Sequence, residues 1–128
     1  MGVFPSPLRM GGGHGEGMES VFGPSGPLAS CLPGYESRPQ QVHMAAAVAM
    51  ALEEGHHLIV EAGPGTGKTL AYLLPAIASQ RRIVVSTGTR ALQDQIVHKD
   101  LPLLQACLDL PFRAALMNTS ATQRPWSE

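Results

Sequence analysis

A chain of 128 residues, 44% of them hydrophobic, has room for one domain with a core of its own. Nine basic against ten acidic residues give a formal net charge of -1, so composition makes no electrostatic case for nucleic-acid binding and motifs must make it. The longest wholly apolar run, 44–52, is far below the roughly 18 residues of a membrane span, and Cys31 and Cys107 are too few for a disulfide framework and too far apart for a CxxC metal site, which predicts two buried or idle thiols in a reducing cytosol.

Residues 1–34 hold Gly11-Gly12-Gly13, Gly23-Pro24 and Pro33-Gly34 without sustained periodicity, which predicts a Gly/Pro-rich arm or loop. Met18 inside it is a second candidate start of translation. Arg9 has no apolar stretch between it and the glycines, so no secretory leader is expected and the chain is assigned to the cytoplasm. Order is expected from Ser37, a helix cap with Gln40 completing a capping box and Pro39 in the first turn. Val42, Ala45, Ala46, Ala49 and Leu52 share one face at helical spacing, and Gly55 makes the stop. Leu58-Ile59-Val60 predicts a buried strand. Leu70-Ala71-Tyr72-Leu73-Leu74 predicts a buried helix that Pro75 kinks or ends. A second strand is expected over 82–86, with Thr87-Gly88-Thr89 as its exit turn and a third helix over 91–98. Asp100 ahead of Leu101-Pro102 predicts a fresh cap and a short helix to about Leu108, and 112–117 a third strand. This alternation predicts an α/β fold, a three-layer sandwich on a parallel sheet with right-handed crossovers and ligand at the carboxyl ends of the strands.

Between the first strand and its helix stands Glu61-Ala62-Gly63-Pro64-Gly65-Thr66-Gly67-Lys68-Thr69, the setting a phosphate-binding loop requires. Its glycines leave the backbone free to turn successive N–H groups inward at phosphate oxygens, with Ala62, Pro64 and Thr66 filling the loop. Lys68 reaches the terminal phosphates as a point charge, and Thr69 offers a hydroxyl to Mg²⁺. The helix opening here aims the positive end of its dipole at the same anion. Lys68 and Thr69 are therefore the candidate catalytic residues, Thr69 also the metal ligand. Ala62 occupies the first glycine position of the strict G-x-x-x-x-G-K-[ST] pattern, so only the relaxed form is met. A bland glycine-rich turn is the competing reading, which the strand, loop, helix order disfavours.

Three segments in this order resemble the start of a superfamily 2 helicase, specifically the DinG and XPD group of iron-sulfur DNA helicases, from about Val21 to Met117. Val21-Phe22-Gly23-Pro24 and Leu32-Pro33-Gly34-Tyr35-Glu36-Ser37-Arg38-Pro39-Gln40-Gln41 resemble the entry to the motor domain. In that family the Arg-Pro-x-Gln element lies against the adenine. The resemblance thus implies that Gln41 reads the base edge, its amide matching adenine's paired donor and acceptor, with Tyr35 or Arg38 near the ring. Gln40 as a cap and Gln41 as a solvated helix residue is the plainer alternative. Val84-Val85-Ser86-Thr87-Gly88-Thr89-Arg90-Ala91-Leu92-Gln93-Asp94-Gln95 resembles the second motor motif, implying contacts from Thr87, Thr89 and Arg90 to the backbone of single-stranded DNA. An ordinary turn with a Thr cap is the alternative there.

What the resemblance implies is a partial RecA-like P-loop NTPase motor domain over 35–117 with ATP and Mg²⁺ as cofactors. It stops at Met117. Family members continue into a Lys-Gly-Arg element and four cysteines that hold an iron-sulfur cluster. Residues 118–128 are instead a polar, non-matching tail without cysteines or an Asp-Glu-x-His motif, so a fragment or a frameshifted frame is expected. None of Asp94, Asp100 and Asp109 ends an apolar strand as the magnesium-binding acid should. The expected function is the ATP-binding segment of an ATP-dependent DNA helicase of DNA repair or replication, which binds nucleotide without unwinding DNA. A short non-hydrolysing nucleotide-binding module is the alternative. A phosphate-loop kinase is a third, against which Arg38 and Gln41 upstream of the loop speak. Three parallel strands would leave an apolar edge open, so marginal folding is expected.

Overall fold

The computed structural model describes residues 16–108 and 110–117, and its helices in chain order are α1 (Glu16–Phe22), α2 (Pro27–Cys31), α3 (Pro39–Glu54), α4 (Lys68–Ala78), α5 (Arg90–Gln95) and α6 (Leu101–Cys107). Expectations for residues 1–15, Asp109 and the polar tail lie outside the described residues. No helix among the described residues is long and apolar enough to cross a membrane.

α3 starts at Pro39, whose fixed φ suits the first helical position and holds Arg38 in extended backbone (φ -123°, ψ 124°). That geometry makes Arg38, not Ser37, the N-cap, and no side chain caps this end, so the expected Ser37–Gln40 capping box does not form. Gly55 ends α3 as expected, its N–H donating to Ala51 O at 2.9 Å. At this end His56 Nδ1 lies 3.3 Å from Glu54 Oε2. α4 runs through Pro75, which is buried against the core.

Helix α5 passes without a break through a π-helical turn (Ile96–Asp100) into α6. The expected fresh cap at Asp100 is therefore absent: Asp100 has helical backbone, and its side chain makes no capping bond. Pro102 lacks an N–H to give to the carbonyl four residues back and crowds it, and widening the preceding turn relieves that conflict.

Small side chains at Ala45 and Ala49 of α3 and Ala71 of α4, all at most 2% exposed, let these two helices pack closely. Leu73, Leu74, Ile96, Leu104, Cys107 and Leu108 belong to the same core. Met18, Val21, Phe22 and Leu28 join it, so the described part of the expected arm is two helices that bury their apolar faces. Gly23-Pro24 and Pro33-Gly34 separate elements there rather than loosening the whole segment. Each fully buried Leu or Phe is worth about 1.5–3 kcal/mol.

No strand forms among the described residues, which overturns the expected α/β three-layer sandwich on a parallel sheet. The runs 58–60, 82–86 and 112–117 lack regular structure, and Ile59 and Val84 are 97% and 86% exposed. A strand exists through ladder bonds to a neighbour, and no backbone bond joins these runs among those described. Helices fill the core in their place, leaving nothing to cover the outward side of each run. A three- to five-residue apolar run cannot by periodicity specify the partner that would make it a strand.

The cysteines depart from expectation as well. Cys31 and Cys107 form a disulfide across 76 positions of sequence, with their Cα atoms 5.6 Å apart, and are not free thiols. Folding of α2 against α6 brings them together, a proximity that sequence separation hides.

Candidate functional site

The loop 61–67 turns on two glycines. Gly65 (φ 74°) and Gly67 (φ 75°) both take the left-handed backbone that other residues adopt at a cost of about 1–2 kcal/mol. Thr66 Oγ1 donates to Gly63 O at 2.9 Å and fixes the bend. Gly67 is the N-cap of α4, and Ala71 N closes the first turn on its carbonyl at 3.2 Å. The N–H groups of Lys68, Thr69 and Leu70 precede that first intrahelical bond and project from the positive end of the helix.

Two side chains from outside the loop hold it, and a third holds one of them. Arg38 Nη1 donates to Gly65 O. Gln41 Nε2 donates to Gly67 O at 3.1 Å, so that carbonyl accepts from both α3 and α4. The Tyr35 hydroxyl shares its proton between Gln41 Oε1 at 3.2 Å and Phe22 O at 2.9 Å, tying α1 to the same cluster. Lys68 Nζ donates to Ala62 O at 2.8 Å, at an exposed position. Gln41 is 4% exposed with both ends of its amide engaged. Burial pushes the Tyr35 hydroxyl above its ordinary pKa of 10.0, against the opposing pull of the Arg38 guanidinium.

The structure thus brings Arg38, Gln41 and Lys68 onto one loop across sequence separations of up to 27 positions, with Tyr35 bonded to Gln41 behind it. Thr87, Thr89 and Arg90 form a second, self-contained turn. Thr87 Oγ1 donates to Thr89 O at 3.2 Å, and Thr89 Oγ1 caps α5 by accepting from Leu92 N at 3.3 Å. Arg90 lies 4.0 Å from Asp94 one helical turn on. No hydrogen bond described links this turn to the loop 61–67. A cleft of about 670 Å³ beside it, bounded by Leu73, Ile77, Val85, Ile96, Leu101 and Phe112, is apolar and lies away from Lys68.

Sequence reasoning missed Tyr72. Burial pushes its hydroxyl above 10.0, a hydrogen bond with Thr69 opposes this, and the nearby Asp100 carboxylate adds to the rise. The signal available was spacing, since Thr69 and Tyr72 are three apart on a predicted helix and must be neighbours.

The donor set fits a polyphosphate: one ammonium, one guanidinium, the helix N-terminus and a loop where a Cβ on Gly63 or Gly65 would meet nothing within 4 Å. For a divalent cation the chain offers the Thr69 hydroxyl, and no cluster of three or more acidic, His or Cys residues exists among the described residues. An iron-sulfur cluster held by four cysteines does not fit this chain, whose two cysteines are bonded to each other.

The ATP-dependent DNA helicase YoaA of Escherichia coli K12 is 46% identical to the chain over 100 residues, which cover 78% of the chain and 16% of that protein. YoaA of Haemophilus influenzae is 38% identical over 102 residues, covering 80% and 16%. The ATP-dependent DNA helicase DinG of Escherichia coli K12 is 52% identical over 95 residues, covering 69% and 13%. The chain therefore spans about a sixth of the length of these curated relatives or less. No solved structure gives a significant match. The model of the DEAD/DEAH box helicase family matches residues 40–126, more than half of the sequence and the whole of the loop 61–67, and the chain belongs to that family.

Proposed function

We propose that this chain is the ATP-binding segment of an ATP-dependent DNA helicase, and that alone it binds nucleotide without unwinding DNA. The observation that carries the reading is the loop from Ala62 to Thr69, held open on two left-handed glycines at the start of α4, inside the stretch matched to the helicase family. Lys68 would exchange its bond to Ala62 O for the terminal phosphates, and the α4 N-terminus would receive phosphate oxygens. Thr69 would turn its hydroxyl to Mg²⁺, which supplies charge neutralisation at the phosphates.

Gln41 and Arg38 bond the same loop and Tyr35 backs Gln41, and adenine recognition by them requires the Gln41 amide to release Gly67 O or Tyr35. Thr87, Thr89 and Arg90 would touch the backbone of single-stranded DNA. Arg90 is exposed and its only described ion pair is a loose one, so it is available to a phosphate. A cytoplasmic role in DNA repair goes with this reading. Hydrolysis is expected to be very slow, because no acidic residue is grouped for magnesium among the described residues and removing one part of such a site costs orders of magnitude.

Titration calorimetry with ATP and Mg²⁺ on the intact chain tests the proposal, with Lys68→Ala as the control. The variant is expected to weaken binding by about 100-fold or more, since Lys68 carries the formal charge closest to the terminal phosphates. Equal affinity in the two chains would overturn it. The alternative, a short nucleotide-binding module, is separated by fluorescence anisotropy with a single-stranded oligonucleotide, whose binding should weaken in Arg90→Ala if the helicase reading holds.

A further inference from the structure

We propose that the Cys31–Cys107 disulfide is a thiol–disulfide switch that sets the order of the Tyr35–Gln41 wall of the phosphate loop. Cys31 is the last residue of α2, and the chain turns from it to Tyr35 with Leu32 N bonded to Leu28 O and Tyr35 N to Leu32 O. Tyr35 then bonds Gln41, which bonds Gly67. Three residues thus separate Cys31 from Tyr35, whose side chain positions Gln41.

α2 has five residues and one buried side chain, Leu28, too little to hold a single helical turn in place alone. The covalent tie to α6 supplies the rest. Cys107 is buried at the end of α6 whereas Cys31 is exposed, so an external thiol reaches one sulfur of the pair. A thiolate of a small dithiol attacks Cys31 Sγ, breaking the S–S bond. Cys107 leaves as a thiolate and takes a proton. The second thiolate of the reductant then displaces Cys31, which is protonated in turn. Two electrons pass to the protein, and the dithiol becomes a cyclic disulfide. Reduced α2 swings free of α6, the Tyr35 hydroxyl loses its fixed position, and Gln41 loses the partner of its Oε1.

The effect on nucleotide affinity rests on the ATP-binding reading; the effect on the loop wall does not. Amide hydrogen exchange is measured on the full chain, oxidised, reduced with dithiothreitol, and re-oxidised with glutathione disulfide. The Gln41 and Val42 amides, bonded to Arg38 O in the oxidised form, are expected to exchange about tenfold faster after reduction. The amides of 71–74 in α4 should change by less than about twofold, and re-oxidation should restore protection. The double variant Cys31→Ser, Cys107→Ser should match the reduced form under oxidising conditions. Equal exchange in both forms overturns the switch, and so does an equal loss in α4, which would make the bond a global staple. ATP affinity, read by calorimetry on the same samples, should fall about tenfold on reduction. Equal and measurable affinity in both forms overturns the regulatory coupling. Absence of ATP binding in both, with the exchange difference intact, overturns the ATP reading and leaves the redox control of the wall standing.

Discussion

Gly65 and Gly67 share a backbone conformation and differ in what stands beside them, which makes a pair of alanine substitutions informative. At Gly65 (φ 74°) a Cβ would meet nothing within 4 Å. Gly65→Ala should therefore cost about 1 kcal/mol, the left-handed penalty alone. At Gly67 (φ 75°) a Cβ would lie 2.2 Å from Gln41 Nε2 and 2.9 Å from its Cδ. Glutamine is flexible, but Gln41 is 4% exposed and can withdraw only by giving up Gly67 O and Tyr35. Each of those bonds is worth about 1 kcal/mol net, so Gly67→Ala should cost about 3 kcal/mol in total. Urea unfolding of the oxidised chain followed by circular dichroism measures both. In a Gln41→Ala background the obstruction is gone, and Gly67→Ala should cost only about 1 kcal/mol, a coupling of about 2 kcal/mol. Equal costs for the two glycines, or a coupling near zero, would refute the placement of Gln41 against the loop.

Ile59→Ser should change stability by less than about 0.5 kcal/mol at a side chain that is 97% exposed, where a buried strand position would lose several times more; a large loss in the same urea titration would contradict the exposed run. Cys107→Ser removes a cross-link over 76 positions; if the bond holds only α2 in place, stability should fall by less than about 0.5 kcal/mol, far short of the roughly 4 kcal/mol that the loop-entropy account gives a staple of the whole fold, and reducing agent should shift the urea midpoint of the parent chain equally little. Tyr35 and Tyr72 both hold their protons above the ordinary value of 10.0, so the folded chain keeps protons that the unfolded one releases. Their contribution is complete below about pH 10 and is lost as pH rises through the folded pKa values. Unfolding midpoints on the alkaline side should fall less steeply in Tyr72→Phe, and an unchanged slope would count against the burial of that hydroxyl.

The elements legible in the sequence were those specified by residues close together in the chain. Pro39 and Gly55 bound α3 because one fixes φ at a helix start and the other accepts the left-handed stop. The turn at Gly65 and Gly67 into the start of α4 at Lys68 was legible because left-handed backbone is local chemistry. Distance in sequence hid the rest. The apolar runs at 58–60 and 82–86 carry strand-like residues but no ladder partner, and only the packed helices decide that they stay unpaired. Met18, Val21, Phe22 and Leu28 sit among glycines and prolines that suggest a loop, and their burial depends on surfaces of α3 and α6 that no short window contains. The meeting of Cys31 with Cys107 and of Gln41 with Gly67 likewise needed the helices in place, because a short-range bond between remote residues exists only once the fold has removed the chain between them from consideration.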